Sequence, residues 1–123
     1  MTPLRVVIVD DEEPARNRLR ELLEDCRGEL PHSIAGEAAN GVEGLQIVAA
    51  AEAEVVLVDI HMPEMSGIEV LKTINAEGLK CVVIVLSAMA DQTYREQCLA
   101  LGASYVFDKT SEFKKVIEVL LAL

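Results

Sequence analysis

The sequence predicts an α/β fold in which a five-stranded parallel sheet lies between two layers of helices. Three observations carry that prediction. Two short runs, Val55-Val56-Leu57-Val58 and Cys81-Val82-Val83-Ile84-Val85-Leu86, have no polar break and are rich in β-branched residues. Such runs suit strands buried on both faces, as in a parallel sheet with helices above and below. Strand-like and helix-like segments alternate five times along the chain. Both runs end at a polar residue, Asp59 for the first and Ser87 for the second. At 123 residues, 51% of them hydrophobic, the chain is long enough for one domain with a substantial core, spanning 1–123.

The elements follow in order. Leu4-Arg5-Val6-Val7-Ile8-Val9 reads as a first strand ending at Asp10-Asp11. Glu12-Glu13-Pro14 then opens a helix, because acidic residues and an early proline suit a first turn. Leu19, Leu22, Leu23 and Cys26 form its apolar face, and Gly28 to Pro31 ends it. His32 to Ala39 is a weaker second strand, with Ile34 and Ala38 as its apolar members. Asn40-Gly41 is expected to turn the chain into a second helix, with Val42, Leu45, Val48 and Ala49 at helical spacing. Val55 to Asp59 is the third strand. Met62-Pro63 and Ser66-Gly67 stop it, and Ile68, Leu71 and Ile74 mark a third helix that ends near Gly78. Cys81 to Leu86 is the fourth strand. Asp91 is placed to cap a fourth helix whose inner face is Tyr94, Cys98 and Leu101. Ser104 to Phe107 is a short fifth strand ending at Asp108-Lys109. Thr110 or Ser111 is expected to cap the last helix, which carries Phe113, Val116, Ile117, Leu120 and Leu121. Five such units with right-handed crossovers and no Gly-rich dinucleotide fingerprint predict a three-layer sandwich, with the flavodoxin-like (βα)5 order 2-1-3-4-5 by analogy.

Composition narrows the function. Twenty-one acidic residues against 11 basic ones give a net charge of −10. That balance argues against direct binding to nucleic acid or an anionic membrane, which needs clustered Lys and Arg. Cys26, Cys81 and Cys98 are odd in number and widely spaced, unlike a disulfide framework or a zinc site. They read as reduced residues of a cytoplasmic protein. No signal peptide or long apolar span is recognisable.

Ligands in open α/β sheets bind just outside the carboxyl ends of the strands. There the first strand offers Asp10 and Asp11, the third Asp59, the fourth Ser87 and the fifth Lys109. Three carboxylates at one rim repel unless a cation joins them. Magnesium fits, since it prefers oxygen ligands and needs only one or two carboxylates besides phosphate and water. With Lys109 as a second positive charge and Ser87 as a hydroxyl donor, the set describes a phosphoryl-transfer site. Asp59 is the natural nucleophile, because carboxylates form aspartyl-phosphates.

From about Leu4 to Leu123 the chain resembles the receiver domains of response regulators in two-component phosphorelays. The matching motifs are Val9-Asp10-Asp11-Glu12, Val58-Asp59-Ile60-His61-Met62-Pro63, Ser87-Ala88 and Lys109. The resemblance implies that Asp59 accepts a phosphoryl group from a sensor histidine kinase or a histidine phosphotransfer protein. It implies that Mg2+ is held by Asp11, Asp59 and the backbone carbonyl of His61, with Asp10 acting largely through water. Ser87 and Lys109 would then bind the phosphoryl group. The face formed by the fourth helix, fifth strand and fifth helix would change, and would meet an effector domain or a second copy. Such a domain catalyses only its own phosphorylation and dephosphorylation. The chain would be either stand-alone or part of a transcriptional regulator. The Glu12-Glu13-Pro14-Ala15-Arg16 opening is similar to regulators with LytTR-type DNA-binding domains.

Two features depart from the family pattern. Proline usually follows the lysine, often after a cis bond, but here the next residue is Thr110. A cis bond before a non-proline residue costs about 3–4 kcal/mol, so a trans bond is expected. The family's switch aromatic usually lies three residues before the lysine, where this chain has Val106. Tyr105 is the possible substitute, but strand alternation directs it to the opposite face. Two rival readings are a small phosphatase of the haloacid-dehalogenase type and an unphosphorylated interaction domain. The phosphatase would want a general-acid Asp two residues after the nucleophile, where His61 stands.

Overall fold

The apolar runs become the middle of a sheet. In the computed structural model, which describes residues 3–62, 65–88 and 91–123, the strands are β1 (Leu4–Val9), β2 (His32–Ala38), β3 (Val55–Asp59), β4 (Val82–Ser87) and β5 (Tyr105–Asp108). All neighbours pair in parallel and the order is β2-β1-β3-β4-β5, as the sequence predicts. β3 is buried along its whole length. The helices between strands are α1 (Glu13–Asp25), α2 (Gly41–Ala51), α3 (Gly67–Glu77) and α4 (Gln92–Ala100), with α5 (Lys115–Leu121) last. No helix among the described residues is long and apolar enough to cross a membrane. The expected part of Pro63 in ending β3 lies outside the described residues.

Alternation along the strands divides the core in two. Val6 and Ile8, Val55 and Leu57, Ile84 and Leu86 enter one cluster with Leu19 and Leu23 of α1 and Val116, Ile117 and Leu120 of α5. Val7 and Val9, Val56 and Val58, Val83 and Val85 enter the other, with Val48 of α2, Leu71 and Ile74 of α3, and Cys98 of α4. A period of two thus puts neighbouring side chains into opposite layers. Each fully buried Val, Leu or Ile contributes about 1.5–3 kcal/mol, which offsets much of the entropy lost on folding.

Helix starts mostly follow local chemistry. Ser66 accepts the Glu69 N–H at 3.3 Å and Asp91 accepts the Tyr94 N–H at 2.9 Å, each capping its helix. Asn40 turns the chain into α2 and caps it, its Oδ1 accepting the Glu43 N–H at 2.9 Å. Two local expectations are corrected. Val42 points outward, because α2 approaches β1 through Gly44, where a Cβ would lie 2.8 Å from a Val9 methyl. Neither Thr110 nor Ser111 caps the last helix. Instead Asp108 Oδ1 accepts the N–H groups of both, at 2.8 and 2.9 Å, and α5 begins only at Lys115.

Gly67 fixes how α3 leaves β3. A Cβ there would lie 2.4 Å from the Asp59 carbonyl oxygen and 2.7 Å from the Ile60 Cα, both rigid backbone atoms. Gly67→Ala is therefore expected to lose about 1–3 kcal/mol in urea unfolding, the usual range for overpacking. An unchanged midpoint would contradict this close approach.

Candidate functional site

Three side chains converge because of where the alternation ends. Asp10, Asp59 and Lys109 each follow by two residues a side chain of the α1/α5 cluster, namely Ile8, Leu57 and Phe107. They therefore leave the sheet on the same side, at the carboxyl ends of three strands. Lys109 Nζ lies 2.7 Å from Asp10 Oδ2 and 3.4 Å from Asp59 Oδ2. Asp10 and Asp59 are 2% and 5% exposed, so this pairing is shielded from water. Asp10 Oδ1 also accepts the Glu12 N–H at 2.9 Å, and Asp59 Oδ1 accepts the His61 N–H at 3.3 Å. These bonds orient both carboxylates.

The electrostatics are those of a site that lacks positive charge. Burial raises the Asp59 pKa and the charge of Asp10 adds to the effect, while Lys109 and the His61 N–H only partly offset it. For Lys109, burial opposes the charge, yet the bonds and charges of Asp10 and Asp59 outweigh it and its pKa is raised. Ligand oxygens of Asp10, Asp11, Glu12 and Asp59 all lie within 4.8 Å of one another. Four carboxylates and one lysine leave the site short of positive charge. The donors are all hard oxygens, which suit Mg2+ and not the nitrogen and sulfur preferences of zinc.

The other anticipated residues lie around this centre. The His61 side chain is exposed, and its ring stands 6.0 Å from that of Tyr94 on α4. Ser87 is fully buried at the end of β4, and its carbonyl accepts the Lys109 N–H at 2.8 Å. The Lys109–Thr110 bond is trans. Val106 is 6% exposed and packs in the α2/α3/α4 cluster. Tyr105 is 39% exposed and its ring stacks on Phe107 at 5.9 Å, on the opposite face from Val106.

The segment after Lys109 is tied down by Glu112. One of its oxygens accepts the Asp108 N–H at 3.0 Å and pairs with Arg95 Nη2 of α4, and the other accepts from Lys115 Nζ at 3.0 Å. The Arg95 guanidinium, then the Asp108 N–H and Lys115, pull the Glu112 pKa from 4.5 to about 2. The ionised form is thus favoured by folding. Its stabilising effect is complete above pH 4.5 and fades as pH falls toward 2. Glu112→Gln should lose about 1 kcal/mol at pH 7, since solvent still partly screens the pair, and almost nothing near pH 2. Urea unfolding at the two pH values checks this; a loss of equal size at both would contradict it.

Two further residues reach the centre. Glu12 joins the carboxylate cluster and lies 3.8 Å from Lys109 Nζ, although it also serves to open α1. The unbroken run Asp10-Asp11-Glu12 is the available signal. Arg16 Nη1 donates to the Asp10 carbonyl at 2.6 Å, and its Nε lies 3.5 Å from Glu37 of β2. Nothing local marks that contact. Size does not mark the site either: an open hollow of about 650 Å³ by Leu4 and Cys81 lies at the other end of the strands, while the cleft beside Lys109 holds about 210 Å³.

Comparison with known proteins identifies the family of the chain. A family model described as the response regulator receiver domain matches residues 6–121. The chain is 34% identical over 116 residues to the chemotaxis protein CheY of Thermotoga maritima, covering 94% of this chain and 93% of that one. It is also 34% identical over 105 residues to an uncharacterized response regulatory protein of Yersinia pestis, covering 85% of this chain but 40% of that protein. Among solved structures, it is similar to a chain of the CheX-CheY-BeF3-Mg2+ complex from Borrelia burgdorferi. There the TM-score is 0.80 at 27% identity, covering 95% of this chain and 89% of that one.

Proposed function

The chain belongs to the response-regulator receiver domain family, and from that premise we propose that Asp59 is its phosphoacceptor. The observation that carries the proposal is the buried triangle of Asp59, Asp10 and Lys109 at the carboxyl ends of β3, β1 and β5. An Asp59 oxygen attacks the phosphorus of a phosphohistidine on a sensor kinase or phosphotransfer protein. The P–O bond forms as the P–N bond breaks, the electron pair goes to the ring nitrogen, and the histidine, protonated on its other ring nitrogen, leaves as neutral imidazole. Lys109 shifts from the carboxylates to a phosphoryl oxygen, and the Ser87 hydroxyl donates to another. Each neutralises charge that grows during transfer, while the protein mainly positions.

Asp10, Asp11, Asp59 and the carbonyl of His61 would hold Mg2+, with Asp10 acting largely through water and Glu12 close by. When bound, the ion supplies positive charge to the phosphoryl oxygens. The α4–β5–α5 face would then change and meet an effector domain or a second copy of the chain. Because the chain spans well under half of the Yersinia protein, that output belongs to the proposal. The −10 charge favours protein partners over direct contact with nucleic acid or membrane, and the reduced-cysteine reading supports a cytoplasmic location.

Acetyl phosphate with Mg2+ should add one phosphoryl group to the protein, read by intact mass. Steady multiple turnover of a simple phosphomonoester would favour the phosphatase reading instead. Calorimetry gives a separate check on the metal. At about 100 times its Kd, Mg2+ should stabilise the fold by about 2.7 kcal/mol. Asp11→Asn should remove most of that gain, and a wild type that binds no Mg2+ would support an unphosphorylated interaction domain.

A further inference from the structure

Arg95 connects α4 to both sides of Lys109. Its Nη1 donates to the Val106 carbonyl at 2.8 Å, in the strand before the lysine. Its Nη2 pairs with Glu112, in the loop after the lysine. Glu112 in turn holds the Asp108 N–H, while the Asp108 carboxylate holds the N–H groups of Thr110 and Ser111. Lys109 therefore sits in a short backbone segment whose two ends both lead to one guanidinium. The Arg95 and Glu112 side chains are only 27% and 17% exposed, so the contact is partly shielded from solvent. A planar guanidinium bonded at two points is geometrically demanding and breaks or follows as a unit.

The aromatic route is not available in this chain. Val106 carries no ring, and the ring of Tyr105 rests on Phe107 at the α1/α5 side of the sheet. Resting on the reading of Asp59 as phosphoacceptor, we propose that Arg95 and Glu112 are the positioning pair that transmits phosphorylation at Asp59 to α4. A phosphoryl group carries about 1.5 to 2 negative charges in place of the single charge of the carboxylate it modifies, and it draws Lys109 away from Asp10. The backbone of residues 108–112 moves with Lys109, because Asp108 and Glu112 bind it closely. Glu112 then shifts relative to Val106, and Arg95 can no longer satisfy both acceptors in one pose. The guanidinium takes a new arrangement and the start of α4 goes with it, a switch between two discrete bonding patterns.

The test measures phosphoryl uptake and the α4 response separately. Wild type, Arg95→Gln, Glu112→Gln and the double variant are treated with acetyl phosphate and Mg2+. Intact mass reads uptake, and amide NMR shifts of residues 92–100 read the response. Expected is uptake by all four proteins, with the shifted α4 population about fivefold lower in each single variant, the low end of coupling between sites. The double variant should be no worse than either single one, because both act through one contact. Arg95→Lys, which keeps the charge but cannot span both acceptors, should also lose the response, unlike a purely electrostatic role. An α4 response of wild-type size in Arg95→Gln or Glu112→Gln, with uptake intact, would overturn the proposal. Should either variant fail to fold, the other decides between the same two outcomes. Failure of the wild type to take up phosphate would instead overturn the reading of Asp59.

Discussion

Asp59→Asn should take up no phosphoryl group from acetyl phosphate, and without divalent cations it should be more stable than wild type. Both results come from one atom exchange. The amide nitrogen cannot serve as the attacking oxygen, and the remaining amide oxygen is a poor nucleophile. Intact mass should show complete loss of uptake, and uptake at wild-type level would move the phosphoacceptor elsewhere. The gain in stability has a different origin. Asp59 is 5% exposed, and burial followed by the charge of Asp10 raises its pKa, so its ionised form is disfavoured by folding. Lys109 retains Asp10 as a partner at 2.7 Å after the exchange. Relief of the buried charge should be worth about 1 kcal/mol in urea unfolding at pH 7. The sign with pH is fixed by the direction of the shift. An acid whose folded pKa is raised stabilises below its ordinary value of 3.8 and loses that contribution as pH climbs through the raised value. The advantage of Asp59→Asn should therefore grow with pH above 3.8 and then level off.

Lys109→Met should act in the opposite direction on stability. The ammonium is the shared counter-ion of two almost fully buried carboxylates. Methionine keeps much of the volume and removes the charge, leaving Asp10 and Asp59 to repel across the pocket. Loss of one partner from a buried ionic group costs about 3–5 kcal/mol. Mg2+ should restore a large part of that loss, because it brings positive charge to the same oxygens. Acid should restore part as well, by protonating one carboxylate. Phosphoryl uptake should slow by about a hundredfold or more, the usual effect of losing one donor to a developing charge. Equal urea midpoints for wild type and variant in metal-free buffer would contradict the counter-ion role.

The contrast between these side chains and Arg95 shows what a sequence makes legible. Asp10, Asp59 and Lys109 can be placed together by counting, because each stands at the end of a strand whose alternation is fixed by its apolar residues. The same counting puts Tyr105 and Val106 on opposite faces. The cap at Asp91 depends on a hydrogen bond within three residues, so it too can be read locally. The start of the last helix is not legible in this way, because Thr110, Ser111 and Asp108 all offer suitable oxygens and local chemistry does not rank them.

The sequence by itself determined the layers, the strand order by analogy, and the rim where acids and lysine gather. Those follow from a two-residue period and from polar residues that stop apolar runs. Only the tertiary structure decided that α2 would rest on Val9 through Gly44, that Glu12 would join the carboxylates, and that Arg95 would reach Glu112 from α4. Each of those depends on the distance between elements remote in the chain. That distance is set by how whole helices pack on the sheet, and no short window of residues encodes it.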